Sequence, residues 1–225
     1  MTLQNRLDAF KAAFQSGQPP HNAPVHIHPI MARSTAELIA SGAAGRALKA
    51  GDRAPAFTLA APDDMPVSSV QLLASGPLVV SFYRGVWCPY CNLELQALQA
   101  ALPDFRAAGA SLVAISPQNR TNSRKAVREN ALDFPILSDP QNDIAAAFGL
   151  RFALPGYLID LYKSRGNQMP AFNGDDSWTL PMPGRFVIGS DGVIAYAEVN
   201  PDYTRRPEPG DMLPAIRRAR TALAA

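Results

Sequence analysis

Cys88 and Cys91 are the only two cysteines of the chain, and two residues separate them. A C-x-x-C pair within one helical turn can close a small disulfide, and the backbone dipole and unpaired N–H groups stabilise a thiolate at the start of a helix. An apolar, β-rich run at residues 78–83 precedes the pair, and helical periodicity at residues 92–102 follows it. The pair is therefore predicted at a strand-to-helix turn, where α/β sheets place reactive groups, and we expect thiol redox chemistry there.

The cysteine pair also has three interpretations without catalysis. Cys91 falls on an apolar helical stripe, so both cysteines could be inert core residues. A structural zinc site needs about four ligands, and beyond the cysteines the chain offers only three histidines, all far upstream: His21, His26 and His28. A disulfide staple is typical of much smaller secreted domains, whereas 225 residues can bury a core without one. We therefore favour catalysis and expect no metal.

The composition is that of an ordinary globular protein, with 47% hydrophobic residues and a formal net charge of +2. Lysines and arginines are interspersed with acids, so we expect no nucleic-acid or membrane-surface interaction. No apolar run approaches the length of a membrane span, and residues 1–15 lack the apolar centre of a signal peptide. We expect a cytoplasmic protein, and in that reducing compartment a C-x-x-C pair is more often catalytic than structural.

The first part of the chain is predicted to be a helical N-terminal extension over residues 1–48. Apolar residues recur at helical spacing within residues 1–15, and a second helix is predicted at about residues 35–44 after a stretch rich in proline and histidine. A short strand with turn residues follows residue 51. We therefore expect the compact domain to occupy residues 49–225.

Strands and helices alternate from residue 78 onward, which predicts a central sheet that begins parallel. A glycine-containing turn at residues 189–192 predicts an antiparallel hairpin near the end of the domain. Residues 151–184 are rich in Pro, Gly, Asn and aromatic residues and are predicted to be an irregular insertion. A final helix is predicted at about residues 211–223.

The predicted order β-α-β-α followed by β-β-α, with C-x-x-C at the first β-to-α turn, resembles the thioredoxin-like α/β fold. Its central mixed sheet is flanked by helices. Four segments sharpen the resemblance to the peroxiredoxin family, in its AhpC/TSA-like branch: residues 51–59, 82–83, 134–139 and 185–192. The resemblance covers about residues 49–215, and YRGVWCPYC at residues 83–91 is similar to a peroxiredoxin-like subgroup that carries C-x-x-C.

The resemblance leaves the attacking sulfur open between two motifs. The peroxiredoxin signature is Phe-Tyr followed by Pro-x-x-x-Thr/Ser-x-x-Cys, which puts its proline on Arg84, its threonine on Cys88 and its peroxidatic cysteine on Cys91. The thioredoxin motif Trp-Cys-x-x-Cys instead makes Cys88 the nucleophile, because the first cysteine lies nearer the helix N-terminus. Our expectation is that Cys91 attacks peroxide and that Cys88 resolves the product.

Further residues are expected around the cysteines, of which Arg185 and Pro183 are those that the resemblance implies. Arg84, from the same turn, and Arg185, at the start of a late strand, are expected to stabilise the thiolate and the developing oxyanion. Tyr83 and Trp87 are expected in the substrate pocket, together with Pro183, which would correspond to the cis-proline of the thioredoxin fold.

The activity implied by the resemblance is a thiol-dependent peroxidase for hydrogen peroxide or alkyl hydroperoxides. A cysteine sulfenic acid would condense with the second cysteine, and an external thiol, either a thioredoxin-like protein or glutathione, would reduce the resulting disulfide. No metal, flavin or nucleotide cofactor is expected, and a homodimer is compatible with the family. Two alternatives stay open: a thiol-disulfide oxidoreductase that acts on proteins, and a redox-sensing module that docks a partner through residues 151–184 and the N-terminal extension.

Overall fold

The structure is a computed structural model and describes residues 1–221. It contains strands β1 (Thr58–Ala60), β2 (Pro66–Ser68), β3 (Leu78–Phe82), β4 (Ser111–Ser116), β5 (Ile136–Ser138), β6 (Arg151–Ala153), β7 (Thr179–Pro181), β8 (Gly184–Ile188) and β9 (Ile194–Val199). Its helices are α1 (Leu3–Gln15), α2 (Ile27–Ala40), α3 (Ser69–Leu73), α4 (Pro89–Ala107), α5 (Arg120–Glu129), α6 (Asp143–Ala147), α7 (Gly156–Ser164), α8 (Met169–Asn173) and α9 (Leu213–Thr221). The predicted end of the last helix, at residue 223, lies outside the described residues.

Seven strands form one mixed sheet in the order β2-β1-β5-β4-β3-β8-β9. Strands β3, β4 and β5 run parallel, and β8 and β9 are antiparallel to β3 and β8, respectively. Every residue of β3 is buried, because this central strand is covered on both faces, and such strands have continuous apolar sequences rather than alternating ones. The mixed thioredoxin-like sheet predicted from the sequence is confirmed, and β3 leads directly to the cysteines.

Apolar clusters cover both faces of this sheet, because successive strand residues point to opposite sides. Val79 belongs to the cluster that includes Leu95 of α4 and Leu7 of α1. Its neighbour Val80 belongs to the opposite cluster, which includes Phe148. Helix α1 therefore contributes to the main core, although it lies outside the predicted compact domain. The division of the chain at residue 48 stays a prediction.

The N-terminal extension and the insertion contain more regular structure than their sequences suggested. Helix α2 begins eight residues earlier than the predicted residue 35, at Ile27. The prediction that residues 151–184 are irregular was wrong, because this segment forms α7, α8 and a two-stranded sheet of β6 and β7. Its glycines and prolines lie at the ends of short elements rather than prevent them: Pro155 is the N-cap of α7, and Gly174 ends α8 with a φ of 79°.

Helices α2 and α7 pack against each other and form a third apolar cluster. Ile27 of α2 lies in it with Leu158 and Leu161 of α7 and with Leu180 of β7. The N-terminal extension therefore contacts the insertion. Among residues 1–221, no helix has both the length and the hydropathy needed to cross a bilayer.

Candidate active site

The two cysteines lie at the predicted strand-to-helix turn. Gly85, after β3, has a φ of 142°, and a Cβ there would lie 2.6 Å from the indole nitrogen of Trp87, so the turn requires glycine. Cys88 caps the N-terminus of α4, Pro89 is the first helical residue, and the N–H of Cys91 donates to the Cys88 carbonyl at 3.0 Å. Both thiols are free and buried, with exposed fractions of 2% for Cys88 and 0% for Cys91.

The environment makes Cys88 the more acidic thiol. Burial alone would raise its pKa, but a hydrogen bond from the Cys91 thiol and the nearby guanidinium of Arg84 lower the pKa to about 6 from an ordinary value near 9. The start of α4 adds the positive end of a helix dipole. For Cys91, burial, the hydrogen bond to Cys88 and the negative charge on Cys88 all raise the pKa well above its ordinary value. At neutral pH the negative charge therefore resides on Cys88.

These observations argue against our expectation that Cys91 attacks first. Cys88 lines a cavity of about 290 Å³, whereas Cys91 lies behind it and does not contribute to the walls of that cavity. The family alignment identifies the position of Cys91 but takes no account of a second thiol in the place of threonine. That second thiol, Cys88, occupies the helix cap, and the neighbouring Cys91 thiol contributes to lowering its pKa.

Arg84 lies beside Cys88, as predicted, in a cage of aromatic rings. The carbon at the centre of its guanidinium is 4.2 Å from the ring centre of Tyr203 and 5.0 Å from that of Trp87. Its Nη2 donates to the Tyr162 hydroxyl at 2.9 Å, and only 3% of the residue is exposed. The cage fixes a positive charge next to the sulfur in a place from which most water is excluded.

Arg185 does not contact either sulfur, which corrects its expected position at the peroxide. It is fully buried on β8 opposite Ser81, its Nε donates to Oε1 of Glu94 at 2.7 Å, and its Nη1 donates to the Pro207 carbonyl at 2.8 Å. The strand register turns this side chain toward the carboxylate on α4 and not toward the helix cap. Among the described residues the Nη2 of Arg185 is buried without a hydrogen-bond partner, and the role of this residue in the reaction stays a prediction.

Arg206 is the arginine beside Cys91, and the sequence analysis missed it. Its Nη2 lies 3.9 Å from the Cys91 sulfur, and its Nε donates to the second oxygen of Glu94. Glu94 thus joins the two buried arginines, Arg185 and Arg206. Arg206 lies in an irregular loop after β9, where no sequence motif marks it. The available signal was Glu94, a charged residue three positions after Cys91 on the apolar side of α4.

The three expected pocket residues have different surroundings. Trp87 lines the cavity, and its ring meets that of Tyr162 edge-on with 5.9 Å between centres. Tyr83 is completely buried below the turn, where its hydroxyl accepts a hydrogen bond of 2.6 Å from Gln118, and it does not line the cavity.

Pro183 is not the cis-proline that the resemblance implied. Among the described residues the only cis peptide bond is that between Pro19 and Pro20. The chain stays extended from β7 into β8, and the Pro183 carbonyl accepts a bond of 3.1 Å from the Asn200 N–H, as a strand residue would. Pro183 borders a separate, much smaller cavity on the far side of Arg84.

The cavity at Cys88 is built by three parts of the chain. Helices α1 and α2 form one wall, the segment from Arg84 to Tyr90 forms the base, and α7 with the residues that follow it forms the opposite wall, with Tyr203 beside Arg84. His21 lines this cavity, but within residues 1–221 no group of three or more His, Cys, Asp or Glu side chains could hold a metal.

The sheet, the C-x-x-C turn and the acidic thiol at a helix N-terminus together define a thiol-redox protein of the thioredoxin-like superfamily. The sequence profile of the AhpC/TSA family matches residues 50–197. The chain belongs to this family, the peroxiredoxins, and is accordingly an enzyme of the thiol peroxidase type.

Comparisons with individual proteins agree with this family. A putative peroxiredoxin of Mycobacterium tuberculosis (strain H37Rv) is 31% identical over 117 residues, which cover 52% of this chain and 76% of that protein. The chloroplastic peroxiredoxin Q of Oryza sativa subsp. japonica is 27% identical over 146 residues, 65% of this chain and 57% of that protein. The fold is similar to that of peroxidoxin BcpB from M. tuberculosis, with a TM-score of 0.60, 24% identity and coverage of 76% of this chain and 97% of that one.

Proposed function

We propose that this enzyme reduces hydroperoxides by a two-cysteine cycle in which Cys88 attacks and Cys91 resolves. The observation that carries the proposal is the pairing of the two thiols. Cys88 has a pKa of about 6 and lines the cavity, and the Cys91 thiol, which contributes to lowering that pKa, is buried in the same helical turn. The attacking group is therefore ionised at neutral pH, and the resolving group is already its neighbour.

The proposed cycle uses these two cysteines and an external thiol reductant. The Cys88 thiolate attacks the terminal oxygen of the hydroperoxide, the O–O bond breaks, and the leaving alkoxide takes a proton from solvent to become an alcohol or water. Cys88 is then a sulfenic acid, which the Cys91 thiol attacks to form a disulfide and release water. A dithiol of a thioredoxin-like protein, or two molecules of glutathione, reduces the disulfide by exchange and is oxidised to a disulfide.

Arg84 supports the first step, because its fixed positive charge stabilises the thiolate and can bind the peroxide oxygens. Arg206 lies nearer Cys91 and supports the second step, in which the resolving thiol must lose its proton. The reductant is proposed to be a thioredoxin-like protein or glutathione. A cytoplasmic location and a homodimer stay predictions.

Exchange of each cysteine for serine tests the order of attack. In Cys91→Ser we expect rapid oxidation that stops at a sulfenic acid on Cys88, because the serine hydroxyl still donates a hydrogen bond to the thiolate but cannot form a disulfide. In Cys88→Ser we expect the peroxide reaction to be at least about a hundredfold slower, since the pKa of the remaining thiol is raised by burial. The measurement is the second-order rate of thiol loss, with the sulfenic acid trapped and located by mass spectrometry.

The reverse result, rapid oxidation of Cys88→Ser and a slow reaction of Cys91→Ser, would show that Cys91 attacks. Absence of any reaction with peroxide in the wild type would contradict peroxidase activity. The second candidate function, a thiol-disulfide oxidoreductase that acts on proteins, would then be favoured, because the acidic Cys88 thiol suits attack on a protein disulfide. Reduction of a protein disulfide substrate by the same preparation separates this candidate from the peroxidase.

A further inference from the structure

We propose that the small cavity on the far side of Arg84 binds one monatomic anion such as chloride, and that it binds this anion more tightly in the disulfide form of the enzyme than in the thiolate form. The site is separate from the larger cavity that Cys88 lines. The coupling rests on the proposed function in one respect, because it takes Cys88 as the thiol that is ionised and then enters the disulfide.

The small cavity has the size of a single small ion. Its volume is about 20 Å³, whereas the cavity at Cys88 measures about 290 Å³. A cavity of about 10–15 Å³ is sufficient for one water molecule. The small cavity therefore takes one particle of that size class and not an organic molecule.

Arg84 gives the small cavity its charge. It borders both cavities, and among the described residues that line the smaller one it alone carries a formal charge. The other lining side chains are either apolar or carry hydroxyl groups, the latter being those of Ser34, Thr35, Tyr162 and Tyr203. The Tyr162 hydroxyl accepts a hydrogen bond from Arg84, so its own hydrogen is available to an acceptor. One buried cation with hydroxyl donors around it favours an anion.

The guanidinium of Arg84 also has a donor that is not used. Its Nη2 donates to Tyr162 at 2.9 Å, but its Nε–H is buried and has no hydrogen-bond partner within residues 1–221. A buried donor without a partner is unfavourable, and more so when the group is charged. An anion beside Arg84 supplies a hydrogen-bond acceptor and a counter-charge together, whereas a water molecule supplies only the acceptor.

The counter-charge of Arg84 depends on the state of Cys88. In the reduced enzyme the Cys88 thiolate lies near the guanidinium, and the buried carboxylate of Glu94 is already paired with Arg185 and Arg206. Disulfide formation removes the thiolate charge and leaves the guanidinium of Arg84 buried without it, which is unfavourable. The anion should therefore bind more tightly after oxidation. Because such coupling is reciprocal, a bound anion also opposes the ionisation of Cys88.

Several other ionisable groups lie near the Cys88 thiol or along the cavity that it lines: Cys91 and Tyr90 on α4, Tyr203 and Arg206 after β9, His21 in the extension and Arg165 in the insertion. Of these, only Tyr203 also lines the small cavity, and burial raises its pKa, so it stays neutral. A variant that fills the small cavity therefore separates the proposed site from chloride bound elsewhere.

The first test follows iodoacetamide alkylation of Cys88 against pH in Cys91→Ser. Sodium chloride is compared with sodium gluconate, whose anion is too large for the small cavity, at one ionic strength so that screening stays constant. We expect chloride to weaken the ionisation of Cys88 about fivefold, an upward shift of the midpoint by about 0.7 pH unit, and to saturate. Leu38→Phe, which adds volume at a wall of the small cavity, should abolish the shift in this background. Ile39→Phe, at the next and exposed position of α2, does not line that cavity and should leave the shift unchanged.

The second test measures binding itself, through the NMR line width of chloride in solutions of the wild-type enzyme, either reduced or oxidised with diamide. We expect the oxidised form to broaden the chloride signal more, and added bromide to remove the excess broadening. This measurement decides the matter even if Leu38→Phe does not fold. A midpoint that is the same in chloride and gluconate, or a line width that is the same for both forms, overturns the inference and leaves the peroxidase proposal intact. If hydrogen peroxide does not oxidise the wild type in gluconate, the proposed function fails instead.

Discussion

At the scale of single residues, reactivity depends on which sulfur holds one negative charge. Both thiols are buried, so the charged form of either is disfavoured until something compensates. Compensation at Cys88 comes from the Cys91 thiol, from Arg84 and from the start of α4. Cys91 is near Arg206 but also near Glu94 and the charged Cys88, so it stays protonated. A neutral thiol beside a thiolate is the arrangement needed for the sulfenic acid to be captured at once.

The lowered pKa of Cys88 predicts how the peroxide reaction depends on pH. The rate should follow the thiolate fraction, which rises through a midpoint near pH 6 and is about nine tenths complete at pH 7. Below the midpoint the rate should fall about tenfold per pH unit. Arg84→Gln should move the midpoint upward by about 1 to 3 units, because it removes the opposite charge. Iodoacetamide alkylation of Cys91→Ser, followed against pH, gives the midpoint directly.

Arg84→Lys is the matched control for that measurement, because it keeps the charge and loses only the fork of donors. Its midpoint should stay within about one unit of the wild-type midpoint. A wild-type midpoint near the ordinary thiol pKa, or an Arg84→Gln curve that superimposes on the wild type, would mean that Arg84 does not stabilise the thiolate.

The two buried ion pairs of Glu94 predict an effect of this residue on the free energy of unfolding. It pairs with both Arg185 and Arg206 and is almost fully buried, so Glu94→Gln leaves two buried guanidinium groups without their counter-charge. We expect a loss of about 3–5 kcal/mol in the free energy of unfolding at neutral pH, measured by denaturant titration. Glu129→Gln, on the exposed side of α5, is the control and should change stability by less than about 0.5 kcal/mol.

The difference in the free energy of unfolding between wild type and Glu94→Gln should depend on pH in a definite direction. Burial would raise the pKa of Glu94, but Arg206 and Arg185 hold the pKa below its ordinary value of 4.5. A carboxyl group with a lower pKa in the folded state contributes its full stabilisation above the ordinary pKa and loses it as the pH falls through the folded-state pKa. The gap between wild type and Glu94→Gln should therefore be constant from about pH 7 to pH 5 and narrow below that. A stability difference that stays constant down to pH 3 would show that the charge of the Glu94 carboxylate is not the source of the stabilisation.

At the scale of elements, the sequence predicted those parts whose signals are local. The apolar run of β3, the helical periodicity of α4 and the hairpin of β8 and β9 all have their pattern within a few residues, and the structure confirms each of them. The position of the C-x-x-C turn follows from β3 and α4 alone. This was sufficient to identify the thiol chemistry.

Elements stabilised by distant contacts were predicted less well. Helix α2 begins within the stretch rich in proline and histidine, where Ile27 packs into the third apolar cluster with α7, a contact across more than a hundred residues. The same cluster orders α7 itself, in a segment whose composition indicates loops. Arg206 reaches Cys91 only because the chain after β9 returns to α4. None of these contacts between distant residues produces a pattern that can be recognised in one sequence.

At the scale of the whole molecule, three distant segments enclose one sulfur atom. The extension, the β3–α4 turn and the insertion meet at the cavity, and only 2% of Cys88 is exposed. A small hydroperoxide can enter such a site, but the active-site cysteine of a protein reductant must come into contact with the Cys88 sulfur for exchange to occur. If the reductant is a protein, we therefore expect the extension and the insertion to separate before it can reduce the disulfide.

This enclosure predicts that the rate of reduction by a thioredoxin-type protein reaches a plateau as its concentration rises, whereas the rate with dithiothreitol increases linearly. The plateau is the rate at which the cavity opens.

The Tyr157 hydroxyl on α7 donates to Glu37 on α2 at 2.5 Å, and Arg33 lies 4.3 Å above the same ring, so these contacts join the two walls. Tyr157→Phe should raise the plateau by about twofold to fivefold, since the loss of one such bond changes the equilibrium by about 0.5–1 kcal/mol. Tyr196→Phe, on β9 and outside the cavity, serves as the control and should leave the plateau unchanged. Stopped-flow reduction of the peroxide-oxidised enzyme measures all of these rates, and a linear dependence on the protein reductant, unaffected by Tyr157→Phe, would show that the walls do not control access.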